Sequence, residues 1–241
     1  MTSRFLHIYF EHAYTHGTVH GMDKLSQPME DYLKTIYLLQ ADSDGGTSTN
    51  ALAAALSVTP ASVTSMIKRL VDLKLVRHTP YQAIALTKTG EKVALEIVRH
   101  HRLLELYLYE ALGYEWDKVH AEADELEHVI SEEFEERIAA KLGNPLIDPH
   151  GDPIPTKDGA LVAIKQQSLL DLEIGQSARI TRVSDRDPEM LRYAARLGLR
   201  PSTRVKIIQV EPFGGSLQIK VGGVEHSIGR ELAAQIFVAV E

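Results

Sequence analysis

Two histidines and two carboxylates, His120, Asp124, Glu127 and His128, fall within one short stretch of this chain. At about 100° per residue they lie at about 0°, 40°, −20° and 80°, so a helix would present all four on one face. The apolar set Val119, Ala123, Leu126, Ile130 and Phe134 falls between about −120° and −40° on the same wheel. The ligand-type face thus adjoins the apolar stripe, where carboxylates and imidazoles are costly to bury unless a cation compensates them. Upstream, His101 and Glu105 form a further i, i+4 pair that an antiparallel helix could bring alongside. Oxygen and imidazole donors without thiolate or thioether suit Mn(II), Fe(II) or Zn(II). The bland counterpart is a solvated acidic helix, since Glu125, Glu132, Glu133, Glu135 and Glu136 belong to the same stretch.

These residues need two helices to carry them. One is predicted from the cap Thr87 to about Leu112, ending at Gly113-Tyr114, and one from about Asp117 to Leu142, closed by Gly143-Asn144-Pro145. Ahead of them a helix marked by Met29, Leu33, Ile36 and Tyr37 stops at the Asp42–Gly46 cluster. Ser48 or Thr49 then caps a short helix with Leu52, Ala53 and Leu56. Thr59 is placed as the next N-cap, with Pro60 at the first helical position. Val63, Met66, Ile67, Leu70 and Leu73 give that helix a continuous apolar stripe, and Ser62, Ser65, Lys68, Arg69 and Asp72 face away from it. Short helix, tight turn, and a capped helix with a polar-basic outer face is the helix-turn-helix plan. Leu75–His78 and Ala83–Thr87 read as the two strands of a wing behind it.

Beyond Leu142, residues 145–167 are rich in proline and glycine, a linker by composition. From Ser177 the apolar period becomes two. Strands are predicted at Ala178–Val183, Arg204–Val210, Leu217–Val221 and Gln235–Val240, with a short helix from Pro188 to Leu197, which suggests a small barrel.

The 241 residues are 44% hydrophobic and 24% charged, ordinary for a globular chain with a real core. No uncharged apolar run approaches the roughly 18 residues of a membrane span. The first 25 residues lack the pattern of a secretory signal. Cysteine is absent, which excludes disulfides, thiolate metal sites and cysteine nucleophiles and fits a reducing cytoplasm. The net charge of −7 hides a division: Pro60–Lys92 holds six basic and two acidic residues, whereas Glu110–Glu136 holds eleven acids and the single base Lys118. A basic module can meet phosphate and a carboxylate-rich one can meet cations. No phosphate-cradling glycine loop, nucleophile elbow or zinc-peptidase pair is present, so the chain does not read as an enzyme. A metal-dependent hydrolase would have to recruit Glu122 or Glu125 as its base by default. In residues 1–25, His12, His16 and His20 recur at i, i+4 after His7, but the stretch reads as an unstructured extension.

Met29-Glu30-Asp31-Tyr32-Leu33, the turn and helix from Val58 to Leu70, the run Lys118–His128 and the segment Pro149-His150-Gly151-Asp152-Pro153-Ile154-Pro155 occur here in one order. With Gly198-Leu199-Arg200-Pro201 near the end, they resemble the diphtheria toxin repressor and manganese transport regulator family over about residues 28–240. The resemblance implies a mainly α chain with a small β domain: a winged helix-turn-helix (26–95), a helical dimerisation and metal-binding domain (96–147), a proline-rich linker (148–167) and an SH3-like barrel (168–241). It implies a primary metal site of Asp31, Asp124, Glu127 and His128, and an ancillary one of His101, Glu105 and His120. Asp185, Asp187 and Glu189 are candidates for the ligands added by the SH3-like domain. The iron-responsive branch holds Met and Cys where this chain has Asp31 and Asp124, so the harder set here favours Mn(II) over Fe(II). The manganese branch has Glu at the position of Lys34, a departure that tells against its two-metal arrangement. For DNA the family positions fall on Thr59, Ala61, Ser62, Thr64 and Ser65, and the basic Lys68 and Arg77 are placed for phosphate. The function implied is a cytoplasmic, homodimeric, metal-dependent repressor acting on operator DNA. Its rival is a winged-helix regulator sensing an organic ligand.

Overall fold

The computed structural model describes residues 25–41, 46–79 and 82–240. The described residues form two compact units, those up to residue 97 together with 130–136, and residues 98–129 together with those from 137 onward. His7, His12, His16 and His20 lie outside the described residues.

The first unit contains α1 (Gln27–Ala41), α2 (Thr49–Ala55), α3 (Pro60–Asp72), a two-stranded antiparallel hairpin of β1 (Val76–Arg77) and β2 (Ala85–Leu86), and the start of α4 (Lys88–Leu112). Ser48 caps α2, and Thr59 caps α3 with Pro60 in its first turn, as the sequence predicts. The two helices are bent 107° from one another, within the helix-turn-helix range of about 90–120°. Leu33, Ile36, Leu52, Val63, Leu70, Leu75 and Ile84 form the buried core. Gly90, in the first turn of α4, leaves no room for a Cβ, which would stand 2.0 Å from the Leu75 carbonyl oxygen. The helix that leads toward the ligand-type residues is thereby seated on the recognition module.

In the second unit the remainder of α4 is joined by α5 (Val119–Leu126) and the end of α6 (Glu132–Lys141). The single helix expected from Asp117 to Leu142 is therefore two. Val129 and Ile130 are β-branched residues in the gap, and the Ser131 hydroxyl accepts from the Phe134 N–H at 3.2 Å, starting a new helix. Glu127 is the αR C-cap of α5, so it keeps nearly its predicted direction, whereas Ile130 and Phe134 belong to no common stripe with Val119.

The expected barrel takes the form of a six-stranded antiparallel sheet in the order β3-β8-β4-β5-β6-β7. Its strands are β3 (Gln167–Ser168), β4 (Ser177–Val183), β5 (Arg204–Val210), β6 (Leu217–Val221), β7 (Val224–Ile228) and β8 (Ile236–Val240). Helices α7 (Pro188–Arg196) and α8 (Arg230–Ala234) lie between strands in sequence. Alternate inward residues such as Ala178, Ile180, Val205, Ile207, Leu217 and Ile219 bury the core. Strand β7 is an addition to the predicted set, formed where Gly222 and Gly223 turn the chain at φ of +57° and +89°. Among the described residues no single helix is long and apolar enough to cross a membrane.

Candidate metal centre

Helix α4 carries His100, His101, Arg102 and Glu105 into the second unit, and α5 brings His120 and Asp124 to them. His101 and Glu105, one turn apart, are almost wholly buried. His101 Nε2 stands 3.0 Å from Glu105 Oε1 and 3.0 Å from His120 Nδ1, and His120 Nδ1 is also 3.0 Å from Glu105 Oε1. Asp185, just beyond β4, places Oδ2 3.2 Å from His120 Nδ1. These four residues each offer a ligand atom within 4.8 Å of the others.

Of the three candidates from the sheet domain, the structure brings only Asp185 to the cluster. Asp187 is the N-cap of α7, its carboxylate accepting from the Glu189 and Met190 N–H groups at 2.9 and 3.1 Å, and Glu189 is exposed in the first helical turn. An aspartate immediately before a proline at the first helical position caps that helix, which is the cue separating it from Asp185.

On the other edge of His101, Nδ1 lies 2.6 Å from Glu127 Oε2 and 3.3 Å from Asp124 Oδ1. Glu127 Oε1 is 3.4 Å from His128 Nε2. Asp124, Glu127 and His128 thus lie together, Glu127 fully buried and Asp124 on the exposed side. Asp31 lies on α1 in the first unit, half-buried, with Lys34 following one turn on.

Two further residues stand where the sequence suggested only a linker. Residues 148–155 form a packed strap. Asp148 Oδ1 accepts from the His150 and Asp152 N–H groups at 2.8 and 2.9 Å. From α4, Arg99 and Arg102 donate to the Pro155 and Pro153 carbonyls at 2.6 Å each. Gly151, at φ +97°, lies so close to β4 that a Cβ would meet the Thr181 carbonyl oxygen at 2.0 Å. His150 Nε2 donates to the Trp116 carbonyl at 2.9 Å, which leaves Nδ1 directed at Glu105 Oε2, 3.7 Å away. Glu105 Oε2, Asp148 Oδ2 and His150 Nδ1 are all buried without a hydrogen-bond partner, and they lie within 4.8 Å of one another. Buried polar atoms are rarely left in this state. Three converging ones, of oxygen and imidazole type, fit a hard divalent cation. The Asp-x-His-x-Asp alternation at 148–152 was the available signal for them.

The electrostatics agree. Burial alone would raise the Glu105 carboxyl, but the charge of His101, hydrogen bonds from His101 and His120 and the proximity of the His150 imidazole hold it well below the usual range. Burial opposes charge on His120, yet Asp185 and Glu105 push it up to about 11. Asp185, which burial would raise, is drawn down to about 2 by His120. His150 rises to about 9 against its burial, through Glu105 and Asp148. Asp148 moves well above the usual range because it is buried and faces Glu105 and Asp152.

Without a cation, protonated imidazoles therefore supply the compensating charge. Their folded-state values lie above the ordinary 6.5, so this stabilisation is complete below about pH 6.5 and is lost as pH rises through about 9 and then about 11. Melting temperatures measured with chelator should fall between pH 7 and pH 10. A flat profile over that range would mean that the imidazoles are neutral at pH 7. Divalent cations displace the same protons, so their binding should release protons into the buffer.

The proposed DNA-contacting set in the first unit lies on an open face. Thr59, Ala61, Ser62, Thr64, Ser65 and Lys68 are exposed on the outer side of α3, and Arg77 is exposed on β1. Thr59 accepts from the Ser62 N–H at 3.2 Å, and Thr64 turns its hydroxyl back to the Pro60 carbonyl at 2.9 Å.

Known proteins match this arrangement along nearly the whole chain. Residues 24–84 match the iron-dependent repressor N-terminal DNA-binding domain, residues 87–156 the iron-dependent repressor metal-binding and dimerisation domain, and residues 167–240 the FeoA domain. The iron-dependent repressor IdeR of Mycobacterium leprae is 30% identical over 230 residues, covering 90% of this chain and 99% of that protein. The diphtheria toxin repressor of Corynebacterium efficiens is 31% identical over 198 residues, covering 78% and 85%. A solved manganese-dependent transcriptional repressor in complex with manganese is 38% identical at a TM-score of 0.83, covering 88% of this chain and all of that one. The repressor ScaR with bound Cd2+ is 31% identical at 0.77, covering 88% and 99%. A recognition module, a buried oxygen-and-imidazole centre and a small β domain, matched in order at this identity, place the chain in the iron-dependent repressor family of metal-dependent DNA-binding regulators.

Proposed function

We propose that this chain is a manganese(II)-responsive repressor of metal-uptake genes, with Fe(II) as the competing activator, acting as a homodimer on operator DNA. The observation that carries the choice of ion is the donor set. Asp124, Glu127 and His128 offer oxygen and imidazole only, and no sulfur donor stands among them. The resemblance of Met29–Leu33 to the family supports Asp31 as the fourth ligand of this activating position. His101, Glu105, His120 and Asp185 form a second position, extended by Asp148 and His150. A divalent cation bound there supplies concentrated charge and fixed ligand directions.

The residues do the rest. Asp31 belongs to α1 of the recognition module, so a shared ion makes the position of that module depend on the Asp124–His128 segment. A pair of recognition helices held at a fixed spacing reaches two half-sites about one helical turn apart. Metal affinity that differs between competent and incompetent arrangements by about 1–3 kcal/mol changes operator affinity about 5- to 150-fold. Short hydroxyls at Thr59, Ser62, Thr64 and Ser65 give few bidentate base contacts, so thymine methyls and groove shape carry much of the readout, with Lys68 and Arg77 on phosphate. Tyr109, Leu112 and Leu146 are exposed and offer apolar area to a second copy.

Genomic DNA fragments incubated with the purified protein should be enriched at a few sites near transporter genes with Mn(II), and at none with chelator. Enrichment indifferent to metal would favour the sensor of an organic ligand instead.

A further inference from the structure

The outward face of the sheet in the second unit carries charge of one sign. Strands β4, β5 and β6 hold five bases, Arg179, Arg182, Arg204, Lys206 and Lys220, and no acid, in a chain whose net charge is −7. Arg182 is tied down, its guanidinium 3.7 Å above the Phe237 ring and 3.6 Å from Asp152. The other four are exposed and alternate with the buried Ala178, Ile180, Val205, Ile207, Ile219 and Val221. The register sets them in pairs: Arg179 stands directly across from Arg204, and Lys206 directly across from Lys220. Such neighbours have Cβ atoms about 4.5–5.5 Å apart, and like charges in that relation are destabilising. Arg204 and Lys206 are two residues apart on β5, about 6.8 Å, so the two pairs form one patch. The Arg179 guanidinium donates to the Ser202 carbonyl at 2.8 Å, and Glu225 of β7 borders the patch, 3.9 Å from Lys220 Nζ.

Repulsion of this kind is relieved when an anion lies across the pairs. The rest of the face indicates which anion. Ser177 lies across from Lys206, and Gln218 shares the face of Lys220, a hydroxyl and an amide of the kind that meet phosphate and sugar. No aromatic residue occurs in the three strands. The face therefore lacks both the stacking platform of a single-strand binder and the aromatic anchor of a protein interface. The recognition module belongs to the same chain and brings duplex DNA to this domain at a high effective concentration. We propose that this face is a second, sequence-independent DNA contact, in which Arg179, Arg204, Lys206 and Lys220 bind backbone phosphates of the duplex. It adds affinity and salt dependence but carries no sequence information. Phosphate contact by lysine and arginine requires no divalent ion, which makes it separable by experiment from the metal response.

Full-length parent, Lys206→Gln/Lys220→Gln and the charge-keeping Lys206→Arg/Lys220→Arg would be titrated with a duplex enriched in the experiment above and with an unrelated duplex of equal length. The salt would be varied from about 50 to about 200 mM. Each phosphate contact contributes about 0.9 to the slope of log affinity against log salt. Loss of two should flatten that slope by about 1.8 on both duplexes, with Mn(II) and with chelator. Across the range the parent's affinity should thus fall about 12-fold more than that of the glutamine variant. The arginine variant should keep the parent's slope. Because like charges repel across the strands, the glutamine variant should also melt no lower than the parent. A metal response absent from all three proteins, with the slope difference retained, would count against the proposed function and leave the phosphate contact standing. Equal slopes in parent and glutamine variant would overturn the contact, as would weaker binding confined to the enriched duplex. So would a change of oligomeric state in DNA-free sedimentation, which would assign the face to a protein partner instead.

Discussion

Glu127→Ala should reduce operator affinity in Mn(II) to its value in chelator, a drop of about 5- to 150-fold, and leave the fold intact. The fold survives, at reduced stability, because the backbone at residue 127 is held independently of the buried carboxylate that is lost. Its N–H bonds to the Ala123 carbonyl at 2.9 Å, and its own carbonyl meets His100. The function does not survive, because the carboxylate joins His101 to His128 and is the buried anion of the activating group. Circular dichroism and a thermal melt would verify folding, and a gel-shift titration with each condition would read the affinity. Equal operator affinity in variant and parent, with metal and with chelator, would sink the assignment.

Glu105→Gln should have the largest effect on stability. Glu105 is wholly buried and lies within 3.0 Å of both His101 and His120 and 3.7 Å of His150. Removal of one member of a buried charged group leaves the others uncompensated, at a cost of about 3–5 kcal/mol. Chelator-treated variant should therefore melt well below chelator-treated parent, and Mn(II) should no longer quench Trp116. If the variant were as stable as the parent without metal, the imidazoles would have to be neutral, against their raised affinity for protons.

The recognition module was legible in the sequence because its signals are local. A threonine before a proline marks the start of α3, and an unbroken apolar stripe marks its buried face. Four strands of the sheet domain were legible through their alternation. The two-residue β3 is too short to show any, and β7, whose Val224, His226 and Ile228 alternate after a glycine pair, was not named. At the metal centre His101, Glu105, His120 and the Asp124–His128 run were named in advance. The break after Leu126 was not, because Ile130 and Phe134 extend the apolar period across a turn that Ser131 ends. Asp148 and His150 were missed for a different reason. Proline and glycine content describes how stiff or turned a segment is, not whether it is packed. The partners that pack this one, Arg99, Arg102, Trp116 and β4, are distant in sequence.

The strap also decides where this chain tolerates a change of length. Within 148–155 four residues are anchored: the Asp148 side chain to the strap's own backbone, the His150 carbonyl to the Val183 N–H, and the Pro153 and Pro155 carbonyls to arginines. One inserted residue would move His150 out of reach of Glu105 and press a side chain into the space that Gly151 leaves empty. From Lys157 to Lys165 the chain is mostly exposed and without regular structure, and there added residues cost only the slow logarithm of loop closure. Variation in linker length can therefore accumulate just beyond the prolines, while the number of residues between Asp148 and Pro155 is held fixed by the centre it helps to build.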